Sequence, residues 1–315
     1  MNEERNNYKA WFYLLPAIIL MAIFTLYPLI NALEASFLKN YNVIDSSNDG
    51  FTFDNYGVVL GLIPKSLVQS GDPTGSIDYT FTRYALLNTF IIVIVTVPVS
   101  VILALIISIA LNRIKVLHDF LQSIFFLPYI TNIIALGMVF SIIFSPTGIF
   151  NNILGLNISW VENPTWAQAM FVLCLYVIWN ALPYKILIFS IGLQNIDQQY
   201  YQAARIDGVS RWRVNTQVTI PLLSPQILYI TITSFISAFK EYSAVVGLFN
   251  RSYTRDGNIH DLYTVVYYIY DFISGETTLW YKEIQYASAA AMILFLIIMA
   301  ITLLQMRVAK RRVYY

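Results

Sequence analysis

Apolar residues run in six charge-poor stretches, each bounded by polar or Gly- and Pro-bearing segments. A spanning helix takes about 20 apolar residues at 1.5 Å rise each. By that measure the pattern predicts helices over about 10–37, 84–112, 120–145, 167–191, 222–249 and 284–306. Pro98 falls where it would kink the second, and Ser145-Pro146-Thr147-Gly148 ends the third. The fold class that follows is an all-α membrane protein of six transmembrane helices, with polar tails at 1–9 and 307–315 and a polar loop at 192–221.

Composition agrees with this pattern. The 315 residues are 57% hydrophobic and 12% charged, about half the charge of an ordinary soluble domain. A net charge of +1 leaves no basic surface for nucleic acid. Cys174 is the single cysteine and lies in an apolar run, so it reads as a buried thiol, and His118 and His260 are the only histidines. That set offers no metal cluster and no His-activated nucleophile, so no catalytic residue is assigned. The first apolar stretch lacks a small-residue cleavage site and is expected to be retained as a helix.

Charge also orients the chain. With the N-terminus inside, the inner segments carry Arg5, Lys9, Arg113, Lys115, Arg205, Arg211, Arg213, Arg307, Lys310, Arg311 and Arg312. The longer outer loops carry only Lys39, Lys65, Arg83, Arg251, Arg255 and Lys282. The positive-inside rule therefore predicts both termini in the cytoplasm. The polar loops at about 38–83 and 250–283 then face outward, either as a docking surface or as plain connections.

The stretch from Asn195 to Pro221 reads as two short helices. Asp197 is placed to cap the first, Gly208 to end it in a left-handed turn, Ser210 to cap the second, and Pro221 to close the unit. Ala203 and Ala204 permit close backbone approach, while Tyr200, Tyr201 and Trp212 add bulk. Gln202-Ala203-Ala204, three residues, Gly208, nine residues and Val218-Thr219-Ile220-Pro221 match the spacing of the cytoplasmic signature E-A-A-x3-G-x9-I-x-L-P. That motif, with Leu15-Pro16-Ala17, Tyr27-Pro28, Leu127-Pro128-Tyr129, Pro183-Tyr184 and Tyr286-Ala287-Ser288-Ala289, resembles the membrane-spanning permease subunit of a maltose-type, binding-protein-dependent ABC sugar importer. Gln202 departs from the signature Glu and loses its charge.

The resemblance implies the type I ABC importer permease fold and a coupling role for Gln202, Ala203, Ala204, Asp207, Gly208 and Pro221. It also implies a bacterial plasma-membrane location and several partners: a second homologous permease, two copies of an ATP-binding subunit, and an extracytoplasmic binding protein that delivers a sugar or oligosaccharide. The chain has no G-x-x-x-x-G-K-[ST] loop, so ATP and Mg are expected in the partner subunits, with no cofactor in this chain.

Polar groups at membrane depth usually face a cavity or another helix. Trp179, Asn180, Tyr184 and Lys185 on the fourth helix and Ser234, Ser237, Lys240 and Glu241 on the fifth are therefore the candidate pathway residues. The resemblance maps substrate contacts onto Val177, Ala181, Tyr184, Ser234, Ser237 and Ala238. Lys240 and Glu241 admit two readings: a helix end at the outer interface with the lysine stem snorkelling, or a cavity where Lys185 and Lys240 favour an acidic sugar. Asn132 and Ser141 read as interhelical hydrogen-bond glue. A competing function, a proton-coupled secondary transporter acting alone through Glu241, explains the intramembrane charges but not the loop signature.

Overall fold

The computed structural model describes residues 7–67, 77–114, 118–249, 262–274 and 283–309. Among these the chain is helical, and extended backbone pairs only at two isolated bridges, Leu38 with Phe51 and Asn42 with Ser47. Helices dominate because hydrocarbon offers the backbone no partner, so each spanning segment satisfies its own N–H and C=O groups. Residues 1–6, Lys115, Arg251, Arg255, His260, Lys282 and the basic residues Lys310, Arg311 and Arg312 lie outside the described set.

Four single helices are long and apolar enough to span: α1 (Trp11–Ser36), α2 (Thr80–Leu111), α5 (Trp166–Gln194) and α10 (Ile284–Ala309). The third predicted span is two helices, α3 (His118–Ile130) and α4 (Ile133–Ile143), bent by 100°. The loop signature folds as α6 (Gln198–Ile206) and α7 (Arg211–Leu222), and α7 meets α8 (Ser224–Phe239) at 68°. A separate helix, α9 (Ser243–Phe249), completes what the pattern predicts as one run over 222–249.

The chain divides into two compact units, Met1–Thr82 with Tyr268–Phe295 and Arg83–Tyr267 with Leu296–Tyr315. In the first, Ser36 hydroxyl shares a hydrogen bond with Tyr56 at 2.8 Å, and Asn55 donates to the Ser36 and Leu38 carbonyls at 2.9 Å each. Phe37, Phe51, Phe53 and Tyr56 cluster around this turn. Lys65 pairs with the buried Glu283, its ammonium 5.7 Å from the Phe272 ring centre and 5.3 Å from that of Tyr286. Burial, reinforced by Asp78, Glu283 and Tyr286, pushes the Tyr268 phenol up and keeps it protonated. No residue in the apolar window of α1 is buried.

In the second unit α2 packs most extensively on α5, with α8 against α2 and α3 against α5. Thr165 and Gln168 form a capping box at the start of α5. Ser108 Oγ donates to the Ala104 carbonyl at 2.7 Å and to the Ile186 carbonyl of α5 at 3.2 Å, tying the two helices. Asn88 bridges three elements, donating to the Tyr263 carbonyl at 2.9 Å and accepting from Trp166 Nε1 at 3.0 Å. Cys174 is buried on α5.

Where the third span breaks, the Asn132 side chain replaces lost backbone bonds, and Tyr176 ties the start of α4 to α5. Asn132 Oδ1 accepts from the amides of Ile134 at 2.9 Å and Ala135 at 3.3 Å, and Tyr176 hydroxyl donates to the Ile133 carbonyl. Asn132 is therefore the N-cap of α4 and bonds its own helix, where the sequence pattern predicts interhelical glue. The short helix α4 crosses α9 at Gly137 and Gly247, so closely that a Cβ on Gly137 would lie 2.7 Å from the Gly247 carbonyl carbon. Small residues permit such crossings in membranes.

Two stability predictions follow from these contacts. Gly137→Ala must force two backbones apart and is expected to cost about 1–3 kcal/mol, seen as a lowered melting temperature in detergent, while the exposed Met138→Ala leaves it nearly unchanged. Asn132→Ala is expected to cost about 1 kcal/mol and Asn132→Asp to retain the cap; equal melting temperatures for all three proteins would refute the capping role.

Candidate translocation pathway and coupling loop

One cavity of about 370 Å³ lies in the second unit. Helix α2 contributes Thr96, Val97 and Ser100; α3 and α4 contribute Tyr129 and Ile133; α5 contributes Tyr176, Val177, Asn180, Ala181, Tyr184 and Lys185. Thr233, Ser234, Ser237 and Ala238 of α8, with Glu241 and Ala244 beyond it, complete the wall. The volume falls within the range of small-molecule sites. Hydroxyls and one amide from three helices face aromatic rings, which is the lining a polyhydroxylated ring molecule requires.

Several side chains are held firmly. Tyr184 stacks near Tyr129 with ring centres 5.9 Å apart and shares a hydroxyl hydrogen bond with Tyr229 at 3.0 Å. Lys185 is buried and donates to Ser100 Oγ, which in turn donates to the Thr96 carbonyl. Glu241 Oε1 accepts from the Ala244 amide at 2.9 Å, and the Glu241 carbonyl accepts from Thr264 Oγ1 at 2.7 Å. Glu241 thereby fixes the start of α9.

Asn180, Tyr184, Lys185, Ser234, Ser237 and Glu241 thus line one space, whereas two candidates do not. Trp179 turns to Phe140, with ring centres 4.9 Å apart, and Lys240 is exposed at the end of α8. All six positions mapped from the resemblance, Val177, Ala181, Tyr184, Ser234, Ser237 and Ala238, are in the wall. Sequence reasoning missed Thr96 and Ser100, although a Thr and a Ser four apart in an apolar helix mark a polar stripe on one face. It also missed Tyr129, which the break between α3 and α4 brings to the cavity.

The loop unit has its own geometry. Asp197 accepts from the Gln199 amide at 2.9 Å and caps α6. Gly208 has φ +67°; its amide bonds the Arg205 carbonyl and that of Val209 bonds the Ala204 carbonyl, the paired closure of a left-handed helix end. Asp207 is the C-cap residue, Ala204 is buried, and Gln202 and Ala203 are exposed. Ser210 starts α7 without a side-chain cap bond. Pro221 lies in the last turn of α7, one residue before that helix ends at Leu222 and the chain bends by 68° into α8. Tyr201 hydroxyl bonds Thr219 within the unit at 3.3 Å, and Arg113 at the end of α2 donates to Asn215 at 3.2 Å. Tyr200, Ile206 and Trp212 remain exposed, an apolar surface this chain leaves uncovered among its described residues.

Known proteins agree with this architecture. The chain is 29% identical over 311 residues to the lactose transport system permease protein LacF of Rhizobium radiobacter, covering 96% of this chain and 95% of that one. It is 27% identical over 300 residues to the arabinooligosaccharides transport system permease protein AraP of Bacillus subtilis, covering 93% and 86%. A crystal structure of a bacterial alginate ABC transporter in complex with an alginate pentasaccharide-bound periplasmic protein contains a chain of the same fold, with TM-score 0.75, 20% identity and coverage of 98% and 96%. Residues 74–314 match the family model of the binding-protein-dependent transport system inner membrane component, and the chain, a multi-pass permease subunit and not a catalytic one, belongs to that family.

Proposed function

We propose that this chain forms half of the translocation pathway of an ATP-driven ABC importer for a sugar or oligosaccharide, with the cavity between α2, α5 and α8 as the substrate passage. The observation that carries the reading is that Val177, Ala181, Tyr184, Ser234, Ser237 and Ala238 line a single space rich in hydroxyls and tyrosine rings. Serine and threonine hydroxyls bond sugar hydroxyls, and Tyr184 offers a face for ring stacking. The names of LacF and AraP, transport systems for lactose and for arabinooligosaccharides, support the substrate class.

The partner set follows the same reading. Helix α1 buries no residue of its apolar window, which suits lipid on one side and a second homologous permease on the other. The exposed Ile206, Trp212 and Tyr200 around the Gly208 turn suit a socket on each of two ATP-binding subunits, which hold ATP and Mg. An extracytoplasmic binding protein delivers the sugar to the outer loops, as its counterpart binds alginate pentasaccharide in the related complex. Both termini lie in the cytoplasm of a bacterial cell, by the basic-residue asymmetry. Glu241 is engaged as the cap of α9, an arrangement that disfavours it as a free proton carrier.

Purification of the tagged chain from its native membrane in mild detergent is expected to bring down a second six-helix chain and two copies of a phosphate-loop ATPase; a chain that comes out alone and transports without ATP would overturn the proposal. Gly208→Asp is expected to insert at normal level and lose uptake. The left-handed φ disfavours any Cβ, and the open space around Gly208 puts the new charge directly on the coupling surface. Wild-type uptake by that variant would remove Gly208 from the coupling role.

A further inference from the structure

The cavity is lined by a lysine and a glutamate that do not pair with each other. Lys185 on α5 is only 5% exposed, and it donates to the uncharged Ser100 hydroxyl. Among the described residues no carboxylate lies within 4.0 Å of its Nζ, and the ion pair found, Lys65 with Glu283, belongs to the other unit. Glu241 is occupied by the Ala244 amide and interacts electrostatically with Tyr176. Tyr176 precedes Lys185 by nine residues on α5, which is about 13 Å along the helix. Lys185 and Glu241 thus line the same cavity without pairing.

A buried ammonium facing a single hydroxyl is poorly compensated, and such groups inside membranes are found where they meet an ion or substrate. The sequence pairs Lys185 with Lys240 as candidate cations, but Lys240 is exposed at the end of α8 and outside the wall, so Lys185 alone supplies the cavity's positive charge. The hydroxyls of Thr96 and Ser234 and the amide of Asn180 remain for the uncharged part of a ligand.

We infer that Lys185 is a specificity-determining residue that reads an anionic substituent, so that the transported molecule is a polyhydroxylated compound bearing a carboxylate or phosphate held at Lys185. This rests on the cavity being the sugar pathway. The bond to Ser100 holds the ammonium in place between substrates, and the incoming anion takes it over.

The test uses the intact complex in lipid nanodiscs, titrated with methyl β-glucuronide, glucose 6-phosphate and the neutral methyl β-glucoside, read by intrinsic fluorescence. The wild type is expected to bind at least one charged probe tenfold or more tightly than the neutral one, with an affinity that falls as KCl is raised; the better of the two identifies the anionic group. Lys185→Met is expected to lose that tenfold advantage and hold the neutral affinity within twofold. A wild type that binds the neutral probe as well as both charged ones overturns the inference whether or not the variant folds. So does a Lys185→Met protein that keeps the preference, or one that loses all three probes equally, the mark of a structural tie to Ser100. If Ser234→Ala and Tyr184→Ala leave all three affinities unchanged, the cavity is not the sugar site, and it is the pathway reading that has failed.

Discussion

A helix that breaks inside a bilayer must give its freed backbone groups new partners, because hydrocarbon supplies none. The second unit meets this constraint with two side chains: Asn132 takes the first amides of α4, and Glu241 takes an amide of α9. Tyr176 adds a bond from α5 to the Ile133 carbonyl at the start of α4. The cavity lies beside these breaks: Tyr129 and Ile133 flank the first, Glu241 and Ala244 flank the second, and all four line it with Tyr176.

The same economy appears where the helices touch. Ser100 and Ser108 occur on the face of α2 that meets α5, one bonded by Lys185 and the other bonding the Ile186 carbonyl. Ser100 returns its hydrogen to its own preceding turn and still accepts from Lys185, whereas Ser108 shares its one hydrogen between the Ala104 carbonyl of its own turn and the Ile186 carbonyl. The α2 and α5 pair is consequently a firm wall, apolar toward lipid and polar toward the cavity, with Ile92, Val93 and Leu173 fully buried along it.

Much of this was legible in the hydropathy. Six apolar stretches mark the spans, and the spacing from Gln202 to Pro221 marks the loop unit, with Asp197 and Gly208 in the capping and turning positions their chemistry suits. The breaks were not legible. Nothing in the apolar run from 120 to 145 tells a straight helix from one bent by 100°, since Thr131 and Asn132 are compatible with a helix interior until the tertiary position of Tyr176 is known. Lys185 and Lys240 look alike in sequence, each a lone cation in an apolar run, and only the packing separates a buried wall residue from an exposed helix end.

In the proposed transport cycle a moving wall is needed opposite the fixed one. Helix α7 leads from the Gly208 turn to a 68° bend at Leu223, and α8 carries the serines of the cavity onward from it. Leu223 is fully buried at that bend, seated where Gly192 of α5 leaves room: a Cβ there would lie 2.9 Å from the leucine side chain. A bend seated on one glycine can pivot without being pulled out of place. At its far end α8 joins α9 through the bond from Glu241 to the Ala244 amide, and α9 crosses α4 where Gly137 and Gly247 bring the two backbones together. In the proposed cycle a loop displaced by a partner would carry the α8, α9 and α4 side of the cavity against the α2 and α5 side, with the bond from Arg113 to Asn215 linking the loop to the end of α2.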